Sequence, residues 1–237
     1  MKNFCVILAG LLVASVPAGL TLSQNSPPDL RGVYWATRYH AKIQILGSGD
    51  LPLTPAGRAA YDKNIAGLKD GSIIDEARKF CVPDGIPRVL ATPYPFQIFQ
   101  QPTQVAMIHE LNHQVRIIPL KPVERTLDVM TLPHYNGHSF GRFEGDTLVV
   151  ETIGFNEKTF LDATGVPHTD ELHTTERIRK PSPTELEIVV TVRDPAYYTR
   201  DWQARFVYAL RKDVRLEDYI CGEPHRDISS VEGVGRP

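Results

Sequence analysis

From Phe96 to Leu210 the sequence is a succession of short alternating or apolar runs, each stopped by turn residues within about ten positions. Phe96–Gln100, Gln104–Glu110 and His113–Ile118 come first, parted by Gln101-Pro102-Thr103 and Leu111-Asn112. Ser139–Phe143 and Leu148–Ile153 follow, joined through Glu144-Gly145-Asp146-Thr147 as a four-residue hairpin connection. Leu172–Arg179 and Leu186–Arg193 flank Lys180-Pro181-Ser182-Pro183-Thr184, a turn by composition. Trp202–Leu210 alternates Trp, Ala, Phe, Tyr and Leu on one face against Gln, Arg, Val and Ala on the other, and Leu216–Cys221 completes the set. A period of two puts alternate side chains on opposite faces of a sheet. The 19 prolines and 17 glycines in 237 residues favour short strands over long helices. About nine or ten strands in this order predict an antiparallel up-and-down meander, and closure into a barrel removes its exposed edges.

One helix is expected ahead of the strands. Thr54 is an N-cap, Pro55 fits the first helical position, and Gly71 stops the run after Lys69-Asp70. Ser72 to Pro95, with prolines at 83, 87, 93 and 95, reads as an irregular connection.

The first residues, Met-Lys-Asn followed by the apolar stretch Phe4–Val16, form a secretory signal peptide with cleavage expected after Ala18. The stretch is shorter than the ~20 residues of a membrane span. Residues 19–237 are then one barrel domain, with a polar tail from about 222. Export makes Cys81 and Cys221, the two cysteines outside the signal peptide, a disulfide pair. A formal net charge of −2 and the lack of a basic run argue against a nucleic-acid partner.

Two resemblances bear on the fold. Gly32-Val33-Tyr34-Trp35 resembles the Gly-x-Trp opening of lipocalin-like barrels, one residue longer, in which the Trp plugs one end. The strings GHSFGRFEGDTLVVETIGF, TPYPFQIFQ and DPAYYTRDW resemble a widespread family of secreted bacterial proteins of unassigned function. Phe143 and Asp201 stand where that family more commonly has Trp and Pro, and the resemblance implies no activity.

Six of the eight histidines fall between residues 109 and 173, in or beside connections, where functional residues of a barrel gather. Three readings follow. His138, His173 and His134 with Asp162 and Glu176 form an acid–base rim that works without a cofactor, as an isomerase, lyase or cyclase. Alternatively the histidines are structural and the barrel carries an apolar ligand. In the third reading His134-x-x-x-His138 and His168-x-x-x-x-His173 hold a divalent metal, a spacing diagnostic on a helix but not in these turns. The expected ligand is a small apolar or aromatic molecule, lined by Trp35, Tyr94, His109, Arg142, Trp202 and Tyr208. If Glu151 or Glu176 points inward, Arg142, Arg177 and Arg205 are the expected partners. Arg88, near Tyr94, is a candidate for an anionic group, with surface exposure as its plainer reading.

Overall fold

The computed structural model describes residues 26–47, 49–120 and 132–221; the expected signal peptide and polar tail lie outside the described residues. Nine strands carry the fold: β1 (Gly32–Ala36), β2 (Phe96–Gln101), β3 (Gln104–His109), β4 (Val115–Pro119), β5 (His138–Glu144), β6 (Thr147–Ile153), β7 (His173–Ser182), β8 (Glu185–Arg193) and β9 (Trp202–Arg211). They make one sheet in the order β4-β3-β2-β1-β9-β8-β7-β6-β5. Its two ends, β4 and β5, lie side by side, so the sheet curls into a nearly closed barrel. Around the ring each strand neighbours the next in the chain, as an up-and-down meander requires.

Every hydrogen-bonded pair in that order is antiparallel. An even number of reversals separates β4 from β5, so these two point the same way. A parallel ladder needs a crossover and slanted bonds, whereas the other pairs need only turns or loops. Side chains close this seam instead. Arg116 on β4 donates through Nε to Ser139 Oγ on β5 at 2.8 Å. Two residues on, Ile118 lies against Gly141, where an added Cβ would fall 2.7 Å from Ile118 Cγ2. Both contacts advance in the same direction, as parallel neighbours must.

Alternation decides what fills the barrel. Leu148, Ile178 and Ile188 form one inward row across β6, β7 and β8, and Val150, Glu176, Val190 and Ala204 form the next. With Tyr34, Phe96, Met107, Trp202 and Tyr208 they make one continuous core. Tyr34, not Trp35, points inward. Trp35 alternates to the outside, where its Nε1 donates to the Pro93 carbonyl at 2.8 Å and Arg211 lies over its ring. The lipocalin-like plug expected of Trp35 therefore does not form.

Helix α1 (Pro55–Asp70) follows its local signals. The Thr54 side chain accepts from the Gly57 amide, Pro55 opens the helix, and Gly71 ends it at φ 82°. Only a narrow face is buried, at Gly57, Tyr61 and Gly67, while Ile65 is exposed. Close approach explains Gly57, because an added Cβ would fall 2.3 Å from the Tyr197 carbonyl oxygen. Gly57→Ala should therefore destabilise the fold by about 1–3 kcal/mol in urea unfolding, although Ala is the better helix former. A gain in stability would show that α1 is not docked on the turn at Tyr197.

Four local expectations need correction. A five-residue helix, α2 (Glu76–Phe80), interrupts the stretch read as irregular. The β5–β6 connection is two residues, because Glu144 already pairs with Thr147. β7 extends into the proline-rich stretch as far as Ser182, with a register shift after Arg179, which leaves Pro183-Thr184 as the turn. Leu216–Cys221 forms no strand, because both edges of β9 are taken, by β1 and β8.

The two ends of the barrel differ. One has the tight turns at 102–103, 145–146 and 183–184; the other gathers the long connections 37–95, 154–172 and 194–201.

Candidate functional site

All six clustered histidines belong to the end with the long connections, as a shared rim requires, but they do not converge. Gly137 has φ 61°, and a Cβ there would meet Thr152 Cγ2 at 2.7 Å, so the turn before β5 needs its glycine. That turn brings His138 edge-on to His134, with ring centroids 4.6 Å apart, and His138 Nε2 donates to the Leu132 carbonyl at 2.9 Å. Ser139, Thr152 and Thr174 are buried on the inward face, so His138 and His173 alternate to the outer one. His173 Nε2 is buried there without a protein partner. His168 is buried, donating from Nδ1 to the Thr169 carbonyl and accepting at Nε2 from Thr159; burial holds its ring below the usual range. His113 Nε2 accepts the Tyr219 amide. His109 is inside the barrel against Phe96, its Nε2 unpartnered, its pKa lowered to about 3 by burial and by Arg116.

The carboxylates also part company. Asp162 is fully buried and accepts from the Ile43 amide at 2.9 Å, the Thr164 amide and hydroxyl at 2.8 Å, and the Val166 amide at 3.3 Å. It ties two long connections together. Glu176 is buried in the barrel and paired with Arg116, not with Arg142, Arg177 or Arg205. Those three lie outside: Arg142 binds Glu144 and Glu151, Arg177 binds Glu144, and Arg205 binds Glu187. Trp202 packs edge-on against Tyr198, and Tyr208 donates to the Leu90 carbonyl at 2.7 Å; both are core.

What the long connections do build is a mouth pocket of about 300 Å³. Tyr39, Tyr94 and Tyr219 give it aromatic walls, Ala77, Ala91 and Pro93 an apolar lining, and Asp84 with Arg88 a charged floor. Both floor residues come from Pro83-Asp84-Gly85-Ile86-Pro87-Arg88, which is buried almost throughout. Arg88 grips Asp75 with two bonds, at 2.9 and 2.6 Å, and its Nε lies 3.2 Å from Asp84 Oδ1. Gln114 completes the frame: its Oε1 accepts the Asp84 amide at 3.1 Å, and its Nε2 donates to Asp84 Oδ2 at 2.9 Å. Burial pushes the Asp84 carboxyl above its ordinary range, against the opposing pull of Arg88 and Gln114. Tyr94 and Tyr219 meet edge to face with centroids 5.4 Å apart. Burial raises both phenols, Tyr219 to about 12, so their hydroxyls stay protonated at neutral pH.

Of the expected ligand-lining residues, Tyr94 is the one that borders this pocket. Asp84, Gln114 and Tyr219 were missed. The signal available was the four-residue spacing of Asp84 and Arg88 between prolines.

Cys81 and Cys221 are bonded, with Cα atoms 6.1 Å apart. Among the described residues no three His, Cys, Asp or Glu side chains gather to hold a metal ion, and no helix is long and apolar enough to cross a membrane. Compared with known proteins, the chain matches no family model and no curated protein.

Proposed function

We propose that the protein is an exported small-molecule barrel that takes an aromatic or apolar compound in its mouth pocket and acts on it by acid–base chemistry. Asp84 is the proton donor, in place of a histidine rim. The observation that carries this reading is one desolvated carboxyl, raised in pKa and fixed by Gln114 and Arg88, at the floor of a tyrosine-walled pocket. Such a group can protonate a carbonyl, enol or ether oxygen and take the proton back, the chemistry of an isomerase, lyase or cyclase. The apolar run Phe4–Val16 and the Cys81–Cys221 bond support export, the resemblance to secreted bacterial proteins agrees with it, and the net charge of −2 argues against a nucleic-acid partner.

Asp84→Asn tests the assignment, since the amide keeps the shape but cannot deliver the proton. Against a panel of aromatic lactones, enones and phenols analysed by mass spectrometry, turnover should fall about 10²–10⁴-fold while affinity stays within a few-fold. Rate should also decline as pH rises through the raised Asp84 pKa, where the donor is lost. The engagement of Asp84 by Gln114 and Arg88 favours a second reading, a carrier that only holds its ligand. Binding by wild type with no product from any compound would establish that one. Unchanged turnover in Asp84→Asn would remove the catalytic role.

A further inference from the structure

We propose that the C-terminal strap, residues 212–221, is a wall of the mouth pocket that the Cys81–Cys221 bond holds shut, with Tyr219 as its ligand-contacting residue. The proposal rests on reading the mouth pocket as the ligand site.

β9 ends at Arg211, at the tight-turn end of the barrel, beside Val33 near the start of β1. Eight residues later Tyr219 is at the opposite end, its amide donating to His113 Nε2 at 3.0 Å. The strap therefore runs the length of the barrel on the outside, with no helix or strand assigned to it. Glu217 donates its amide to Glu110 Oε2 at 2.9 Å, and the Tyr219 ring closes on Tyr94 at the pocket edge. Cys221 then bonds to Cys81, which caps α2 just before the buried Asp84–Arg88 segment. The bond thus ties one pocket wall to the segment that carries the pocket floor.

Ordering an extended segment on a surface loses backbone entropy at every residue, and hydrogen bonds near solvent return little of it. Covalent closure removes most of that loss by confining the strap end near its docked position. Reduction by a dithiol reverses this. Two electrons and two protons pass to the protein, the sulfur–sulfur bond becomes two thiols, and the reductant closes to its own cyclic disulfide. The freed strap then leaves Tyr94 without its edge-to-face partner, and the pocket loses one aromatic wall. Tyr219 matters for selection too, because a planar ring entering here meets two tyrosines already held at right angles.

The test uses the mature chain, oxidised or reduced with a dithiol and alkylated, with amide hydrogen exchange read residue by residue. Exchange at Glu217 and Tyr219 should rise at least about tenfold on reduction, while the β7–β8 ladder keeps its protection. That ladder is the control for global unfolding. 4-Nitrophenol, followed by absorbance, is the pocket probe. Its affinity should fall at least about tenfold on reduction and in oxidised Tyr219→Ala, the loss of one aromatic contact in a closed site. Unchanged protection at Glu217 and Tyr219 after reduction overturns the strap. Unchanged affinity in Tyr219→Ala overturns its place as a wall. If the oxidised wild type binds neither 4-nitrophenol nor the aromatic panel, the pocket reading falls with Tyr219's ligand role, and the exchange result alone decides whether the bond holds the strap.

Discussion

Arg116→Leu is expected to cost about 3–5 kcal/mol of folding free energy, among the largest losses any single change outside the pocket should produce. Its guanidinium donates to Ser139 at 2.8 Å, to Thr152 at 2.8 Å and to both oxygens of Glu176, and all four side chains are buried. Removing the cation leaves the buried Glu176 carboxyl without its partner, and it also removes the bonds that join β4 to β5, β6 and β7. Pairing the change with Glu176→Leu should bring stability back to within about 2 kcal/mol of wild type, because a buried ion pair is worth little against well-packed apolar groups. Urea unfolding of the two variants measures both numbers. A loss below about 1 kcal/mol in Arg116→Leu would mean that packing at Ile118 and Gly141 closes the seam by itself.

Acid should unfold the protein earlier than its carboxylates alone would predict. His109 has a folded pKa of about 3 against an ordinary value near 6.5, because its ring is desolvated and close to Arg116. Between those values the unfolded chain binds a proton that the folded chain refuses, so stability rises with pH. This contribution is complete above about pH 6.5 and is lost as pH falls toward 3, at about 1.4 kcal/mol per unit and about 2 kcal/mol by pH 5. His168, also lowered by burial, adds to the same trend, whereas the raised Asp84 opposes it. His109→Phe keeps a ring against Phe96 and removes the titration. The variant should gain on wild type steadily below pH 6.5, measured as unfolding free energy against pH. Parallel curves would assign the acid sensitivity elsewhere.

Elements whose cause is local were legible in the sequence. Thr54, Pro55 and Gly71 fix α1 through bonds to their own neighbours, and short alternating or apolar runs mark the strands from β2 to β9. Leu216–Cys221 shows the limit of that signal, since a strand-like run with no open neighbour becomes a strap. The histidines show another. Sequence clustering placed them at one end correctly, yet a single step of alternation sends His138 outward and Ser139 inward, and His109 faces Arg116 rather than its sequence neighbours. Arg116 was invisible as the partner of Glu176 because the two meet only when β4 comes round to β5. Asp84 was passed over because a proline-flanked segment reads as a surface loop, and its burial depends on Gln114, thirty residues on.

The pairing of β1 with β9 has a mechanical consequence. Val33, near the start of β1, lies opposite Arg211, at the end of β9, so the chain enters β1 and leaves β9 at the same end of one strand pair. A pull at those two points opens the pair like a zipper, breaking one rung at a time. The bond between Cys81 and Cys221 reroutes the load. Tension from the C-terminal side then enters ahead of β2, at Phe96, while β1 is drawn from Gly32, and Gly32 sits opposite Ile98. The two strands are pulled from opposite ends, all their rungs share the force, and an unzipping contact becomes a shearing one.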